Sequence, residues 1–333
     1  MALTSQATPL LSPEEIAVRA GQQVPYLHAP ERASVFGDRE IRLRQLAASH
    51  AMRDFLIFTA DLARAQHDLL QSYPEVVLPD AAALDAASRA GMPPLPAADW
   101  PRDPAWRTGL TRMLDALLPR LSASPALPAV QALRAADAQW IEQQAGRLLA
   151  GVMHGLDLGA APLIAAALQT YFTHMVLATQ AARGSDQLAP FGRTDDATAC
   201  PCCGSRPTAS ISRIGADASG YRYLHCALCS MQWHMVRIKC SHCQGTKGIH
   251  YHSLQRDGDT VNTAKAAVEA ETCDTCGHYL KIVHMERDYE VEPVADDLAS
   301  VTLDLLVSEA GFERHGVNLM LLFGDPETEG DSR

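Results

Sequence analysis

Apolar residues recur every three or four positions through the first half of this chain and fall into short alternating pieces through the second. From Arg39 to Leu70, the residues Leu43, Leu46, Phe55, Phe58, Leu62, Ala65 and Leu69 mark one helix face, and a break near Ser49 and His50 divides the run into two helices. A second unit runs from about Asp103 to Leu118, with Trp106, Leu110, Met113, Leu114 and Leu117 on one side. Pro104 suits its first turn, and Pro119, Pro125 and Pro128 follow it. The pattern continues from Pro128 to Leu149 through Val130, Leu133, Trp140, Ile141 and Leu148. An alanine-rich helix from Ala160 to Ala182 then carries Leu163, Leu168, Phe172, Met175 and Val176. Helices with proline-rich joints predict a bundle whose apolar faces form its core.

After Ala182 the composition changes: Gly184, Ser185, Asp186, Pro190, Gly192, Asp195 and Asp196 make a loop or linker. Beyond it, β-like pieces at Ile211 to Ile214, Tyr221 to His225, Met231 to Ile238, Ile249 to Leu254 and His278 to Met285 alternate with cysteines. Each piece is too short to bury much area, so the cysteines are expected to supply the missing cohesion. From Pro293 to Leu306 a helical pattern returns, with Leu298, Val301, Leu305 and Leu306 on one face. Asp296 and Asp297 stand near its start, where acids suit the helix dipole. The expected fold class is α+β. A helical bundle occupies 1–195, a double metal-binding region of rubredoxin-like or zinc-ribbon-like modules 196–290, and a C-terminal helix with a loose polar tail from Asp325 occupies 291–333.

Composition narrows the function. With 47% hydrophobic and 20% charged residues among 333, disorder over most of the length is excluded. Apolar stretches such as Leu158 to Leu168 and Val301 to Val307 stop well short of the roughly 20 residues a membrane span needs, so no membrane insertion is expected. The amino terminus has no cationic start, apolar stretch or cleavage site, which predicts a cytoplasmic protein. The net charge of −11 is uneven. Between Cys200 and His250, Arg206, Arg213, Arg222, Arg237, Lys239 and Lys247 face one acid, Asp217, giving +5 and leaving −16 on the rest. No Gly-x-Gly-x-x-Gly, Walker loop, Gly-x-Ser-x-Gly or His-Glu-x-x-His is present, and an enzyme is not the expected reading.

The nine cysteines all lie between Cys200 and Cys276, and eight form Cys-x-x-Cys pairs: Cys200 and Cys203, Cys226 and Cys229, Cys240 and Cys243, Cys273 and Cys276. Two intervening residues let a tight turn aim both sulfurs at one ion, with backbone amides free to donate to them. Such crowding in a cytosolic chain points to metal or redox chemistry rather than disulfides. A tetrahedral four-thiolate site takes two pairs, so four pairs make two sites. The simplest assignment is sequential, with Cys200, Cys203, Cys226 and Cys229 in site 1 and Cys240, Cys243, Cys273 and Cys276 in site 2; an interleaved pairing is also open. Gly204 and Gly277 follow two of the pairs, where the turn favours positive φ. Cys202 breaks the spacing and reads as a non-ligand. Seven of the thirteen histidines (His225, His234, His242, His250, His252, His278 and His284) share the region and, with eight thiolates available, read as supporting residues. Tetrahedral sulfur suits both zinc and iron. Each ion with four thiolates carries a formal charge of about −2, so the nearby Arg and Lys look like local compensation, and no nucleic acid is expected. Tyr221, Tyr223, Trp233, Tyr251 and Tyr279 are expected to shield the sulfurs rather than stack bases.

These residues carry a resemblance. Cys200-Pro-Cys-Cys-Gly-Ser-Arg-Pro207, Arg222-Tyr-Leu-His-Cys-Ala-Leu-Cys229 with Trp233-His-Met-Val-Arg237, Lys239-Cys-Ser-His-Cys243, Glu271-Thr-Cys-Asp-Thr-Cys-Gly-His-Tyr-Leu-Lys281 and Val294-Ala-Asp-Asp-Leu-Ala-Ser300 resemble the FdhE family of formate dehydrogenase accessory proteins. The likeness is dense from Cys200 to Leu306 and thinner before it, where Asp54 to Gln66 is similar to the family's amino-terminal helix. It implies a cytoplasmic maturation factor that binds the formate dehydrogenase catalytic subunit. It also implies rubredoxin-like sites that hold iron or zinc on the eight paired cysteines. Cys202 departs from the first knuckle's pattern. A rubredoxin-like electron carrier is the second reading and a zinc-ribbon nucleic-acid binder the third; a homodimer and a monomer are both compatible with the sequence.

Overall fold

The computed structural model describes residues 24–122, 124–183, 190–214, 220–254 and 266–322. The amino-terminal leader reading, Gly184, Ser185 and Asp186 of the linker, and the tail from Asp325 lie outside them. Seven α-helices among the described residues precede the cysteines: α1 (Val35–Ala47), α2 (Arg53–Gln71), α3 (Ala81–Arg89), α4 (Ala105–Leu117), α5 (Leu127–Ala135), α6 (Ala138–Ala150) and α7 (Ala161–Arg183).

The break between α1 and α2 falls where the sequence places it. His50 accepts the Met52 amide on Nδ1 at 3.0 Å, which leaves its Nε2–H to donate to the Ala299 carbonyl at 2.8 Å. The stretch from Pro128 to Leu149 is two helices rather than one. Ala136 is extended, and the Asp137 carboxylate caps α6 by accepting the Trp140 amide at 2.9 Å. α3 has no counterpart in the periodicity reading; Asp80 starts it by accepting from the Ala83 amide. α7 is long and apolar enough to cross a bilayer by length and composition, yet 83% of its most apolar window is buried in the protein. It is the central helix of the bundle, packed by α2, α4 and α6.

Eight strands form one sheet among the described residues: β1 (Leu27–His28), β2 (Pro207–Ser212), β3 (Arg222–Cys226), β4 (Gln232–His234), β5 (Ile249–His252), β6 (Val268–Cys273), β7 (His278–His284) and β8 (Glu313–Arg314). The order is β1-β4-β3-β2-β7-β6-β5, with β8 on β7. β2-β3-β4 and β5-β6-β7 are two antiparallel ribbons of the same plan, each with a cysteine pair before its first strand and another between its second and third. The parallel pairing of β2 with β7, Ser210 opposite Ile282, joins them. Every residue of β2 and β3 is buried, so the strands bury far more than their length suggests.

Two further helices, α8 (Pro293–Ala299) and α9 (Val301–Glu309), split the predicted C-terminal helix at Ser300. Glu292 caps α8, its carboxylate accepting from the Val294 and Ala295 amides. Asp296 and Asp297 do more than face a dipole. Each is 2% exposed; Asp296 pairs with Arg42 of α1 at 2.7 Å, while Asp297 pairs with Lys281 of β7 at 3.0 Å and Arg314 of β8 at 2.7 Å. Lys281 also reaches Asp304 of α9, and Tyr279 donates to the same carboxylate. One apolar core runs from α1 and α2 through Cys200, Cys226 and Trp233 to Leu298, so the bundle and one face of the first ribbon share an interior, while Ile211, Tyr223 and Val283 form a smaller cluster of their own.

Lys281 is fully buried among two carboxylates, and removing one partner of such a cluster strands the other charges. Lys281→Met is therefore expected to cost about 3–5 kcal/mol in urea unfolding. Arg134→Met, which breaks the exposed pair with Asp115, should cost less than about 1 kcal/mol. Acid tests the bundle separately. His174 of α7 stacks on Tyr73 with ring centroids 4.6 Å apart, and burial, then the charge of Arg32, brings it down from 6.5 to about 4. Between those values the unfolded chain holds a proton that the folded chain lacks, so stability falls as the pH drops through that window and gains nothing above it. His174→Asn is expected to flatten this part of a plot of urea midpoint against pH.

Candidate metal centres

Each of the four Cys-x-x-Cys pairs sits in a tight turn closed by backbone hydrogen bonds. The amides of Gly204, Gln244 and Gly277 donate back to the carbonyls of Cys200, Cys240 and Cys273, while the amides of Cys200, Cys226 and Cys240 donate to the carbonyls of Ser205, Met231 and Gly245. The residue after the second cysteine is left-handed in all four turns: Gly204 at φ 74°, Ser230 at 58°, Gln244 at 61° and Gly277 at 70°. Glycine reveals two of these positions in the sequence. Ser230 and Gln244 are the non-glycine residues of positive φ among those described, and they hold a conformation costing about 1–2 kcal/mol because the turn requires it.

The sulfurs meet in the sequential groups. In site 1, Cys200 lies 3.5 Å from Cys229, and Cys203 lies 3.5 Å from Cys226 and 3.6 Å from Cys229. In site 2, Cys240 lies 3.7 Å from Cys276 and Cys243 lies 3.8 Å from Cys273. These are too long for disulfides, and they match the edge of about 3.8 Å that four sulfurs some 2.3 Å from a central ion would make. Amide hydrogens aim at the sulfurs as well: Leu228 and Cys229 donate to Cys226, and His242 donates to Cys240. Burial, and then the neighbouring sulfurs, pushes the thiols of Cys226 and Cys229 well above the usual range, so four thiolates in this core call for a cation among them. In site 2, burial opposes ionisation of Cys273, but donation from the Cys276 and Thr275 amides prevails and brings its thiol down to about 7. The two groups fit two divalent ions of the zinc or iron type.

The sites differ in access. All four site 1 cysteines are at most 1% exposed. The bundle closes over them: the Leu95 and Ala97 amides donate to the carbonyls of Cys202 and Cys203, and Gln169 of α7 donates to the carbonyl of Ala227 inside the second knuckle. Gln66 of α2 holds Gln169 from behind at 3.0 Å. Cys202 is buried beside site 1 and outside both groups of four; its thiol is pushed up by burial and by Cys200. In site 2, Cys243 is exposed and Cys276 is half-buried.

The surrounding residues divide in the same way. Of the basic residues, Arg222 is fully buried against Glu271 at 2.9 Å and also donates to the Lys239 carbonyl beside Cys240. Arg213 donates to Gln232, and Arg237 faces Glu286. Trp233 is buried and donates to the Ala197 carbonyl, and Tyr223 donates to that of Pro25. β6 escaped the periodicity reading because Glu269 and Glu271 look solvated; Glu271 is 4% exposed and belongs to the Arg222 pair.

Three family models match: "FdhE, N-terminal" over residues 24–187, "FdhE, central domain" over 199–237 and "FdhE, C-terminal domain" over 238–321. The chain is 38% identical to the Protein FdhE homolog of Cronobacter sakazakii over 310 residues, covering 93% of this chain and 95% of that one. It is 39% identical to Protein FdhE of Salmonella dublin over the same shares. The crystal structure of the FdhE protein from Pseudomonas aeruginosa is similar with a TM-score of 0.74 and 37% identity, covering 90% of this chain and all of that one.

Replacing both Cys226 and Cys229 by Ser should remove one of two ions per chain, measured by elemental analysis, while the ion at Cys240, Cys243, Cys273 and Cys276 remains. Two ions still bound would break the grouping.

Proposed function

The chain belongs to the FdhE family of formate dehydrogenase accessory proteins, and on that premise we propose that it serves the maturation of a respiratory formate dehydrogenase in the cytoplasm, holding the catalytic subunit on a scaffold pinned by two four-cysteine metal centres. The observation that carries this reading is the unequal burial of the two sulfur groups within one sheet. Site 1, closed under the bundle, acts as the structural pin. Site 2 faces outward, where a partner can reach it.

The surface around site 2 supports partner binding. Val236 and Ile238, just before Cys240, are 43% and 64% exposed, and Tyr251 in β5 and Leu254 after it are 45% and 44% exposed. Apolar side chains displayed on a metal-stiffened ribbon suit a protein partner. The stretch from Cys200 to His250 is basic and the chain after it strongly acidic, a contrast that suits electrostatic steering of an encounter.

Iron is the metal of this reading, held by the paired cysteines. The exposed edge at Cys243 also suits a rubredoxin-like electron carrier, which requires iron, since zinc does not change valence. At site 2 the chain's own work is to hold four thiolates in place and to shield Cys240 and Cys273 from water, each at most 4% exposed.

The test is co-purification without oxygen from the native host. The catalytic subunit of formate dehydrogenase should be retained by the wild-type chain with two irons per chain. Ile238→Glu should reduce retention roughly tenfold, as loss of a central apolar contact does, while Val77→Glu on the bundle, at a residue 75% exposed, leaves it unchanged. Equal retention by Ile238→Glu would move the contact away from this edge, and two zincs would end the carrier reading.

A further inference from the structure

A cavity of about 570 Å³ opens where three parts of the fold meet: the start of α1, the first ribbon, and the segment leading from β7 into α8. His225 and Ser230, on either side of the second knuckle, line it, but no cysteine does. It is therefore separate from both metal centres and from the outward edge of site 2.

Its ribbon wall carries N–H groups that the protein leaves without acceptors. Arg213 donates through Nη1 to Gln232 Oε1 at 2.7 Å. A guanidinium only donates, so this contact turns the oxygen of the Gln232 amide toward Arg213 and its NH2 toward His225, whose Nδ1 is 3.3 Å away. Nδ1 therefore accepts, and the ring proton sits on Nε2. That N–H is buried with no hydrogen-bond partner, in a residue 3% exposed, and the Nε–H of Arg213 is in the same condition. Arg39 of α1 gives its own Nε–H to Glu292, another residue of the cavity wall, and keeps Nη1 and Nη2 buried without partners. Burial brings the Arg213 guanidinium below its ordinary range, against the pull of Tyr223 and Glu31. Buried donors left unsatisfied are costly, and an anionic oxygen is the group that would satisfy them.

The exposed part of the wall has the opposite sign. Glu31, Asp38 and Glu290 line the cavity and face solvent, and they disfavour a ligand of several negative charges. Ile211, Met285 and Val291 add apolar surface of the kind that holds a small organic molecule.

We propose that this cavity binds a carboxylate borne on a molecule that is also positively charged. The two carboxylate oxygens accept from His225 Nε2 and Arg213 Nε, and the cationic group faces Glu31, Asp38 and Glu290. A free basic amino acid and a peptide that ends in a basic residue both supply this chemistry. The start of α1, with Ser34 and Val35 in the wall, adds the positive end of a helix dipole on the carboxylate's side of the balance.

The full, metal-loaded chain is titrated by isothermal calorimetry with lysine, lysinamide, acetate, and the peptide Ala-Ala-Lys with its C terminus either free or amidated. Lysine or the free peptide is expected to bind roughly tenfold or more tightly than its amide, the size that hydrogen bonds to a charged group support, and more tightly than acetate. Binding of lysine without the peptide would support the site as one for an amino acid, and the reverse as one for a peptide end. Arg213→Gln should weaken the binding roughly tenfold. Glu31→Gln with Asp38→Asn, at exposed positions that the fold does not need, should bring it down to the level of acetate while acetate itself is unaffected. Amides that bind as well as the carboxylates overturn the proposal, as does the absence of heat from either carboxylate at millimolar concentration. Unchanged affinity in Arg213→Gln overturns the placement of the carboxylate, and unchanged affinity in the double acid variant overturns that of the cation.

Discussion

Asp296 and Asp297 are neighbours in sequence and are drawn in opposite directions. The first is held by Arg42 of the bundle, and the second by Lys281 and Arg314 of the sheet. One short helix thereby anchors an all-helical body to a β-structure through charges that are almost wholly buried. Buried charges are unfavourable unless paired and hydrogen-bonded, and here they are supported on several sides: Glu292 caps the helix, Asn318 donates to Asp297, and Ser300 donates back to the Asp296 carbonyl. If α8 is displaced, Lys281 loses Asp297 and keeps only Asp304 of α9 in the interior. The sheet that presents both cysteine groups therefore depends on a helix that carries none of the cysteines.

The thiolates impose a second constraint. Four sulfurs within about 4 Å repel one another once ionised and occupy little apolar volume, so a ribbon built around them needs a cation at its centre. The fold repeats this solution, with one cysteine pair ahead of β2 or β5 and a second after β3 or β6. The two copies have diverged in their surroundings. One is embedded against α7 and shares the bundle's core, while the other keeps a wet edge. The parallel pairing of β2 with β7 makes the copies a continuous sheet, and Arg222 with Glu271 clamps one ribbon to the other.

The long amphipathic helices could be read from periodicity because burial of one face dominates their energetics, and the break at His50 showed in the same pattern. The cysteine pairs were equally legible, because spacing alone decides whether two sulfurs can face one ion. Other features depended on partners far away in the chain. Glu269 and Glu271 hid β6 by looking solvated, although Glu271 meets Arg222 some fifty residues earlier in the chain. Asp296 and Asp297 looked like ordinary first-turn acids because Arg42 is over 250 residues away. Ser230 and Gln244 carry no glycine signature for the left-handed turns they make. The stacked rings of His242 and His278 needed the turn of a knuckle and the start of β7 to be brought together.

The enclosure of Cys200, Cys203, Cys226 and Cys229 beneath the bundle bears on how a metal ion would enter and leave this chain. An ion in that position has no path to solvent except by separating α7 from the ribbon, so exchange with the surroundings is set by the opening of the core rather than by relative affinities. An ion that entered before the chain closed would stay in place until that core opened again.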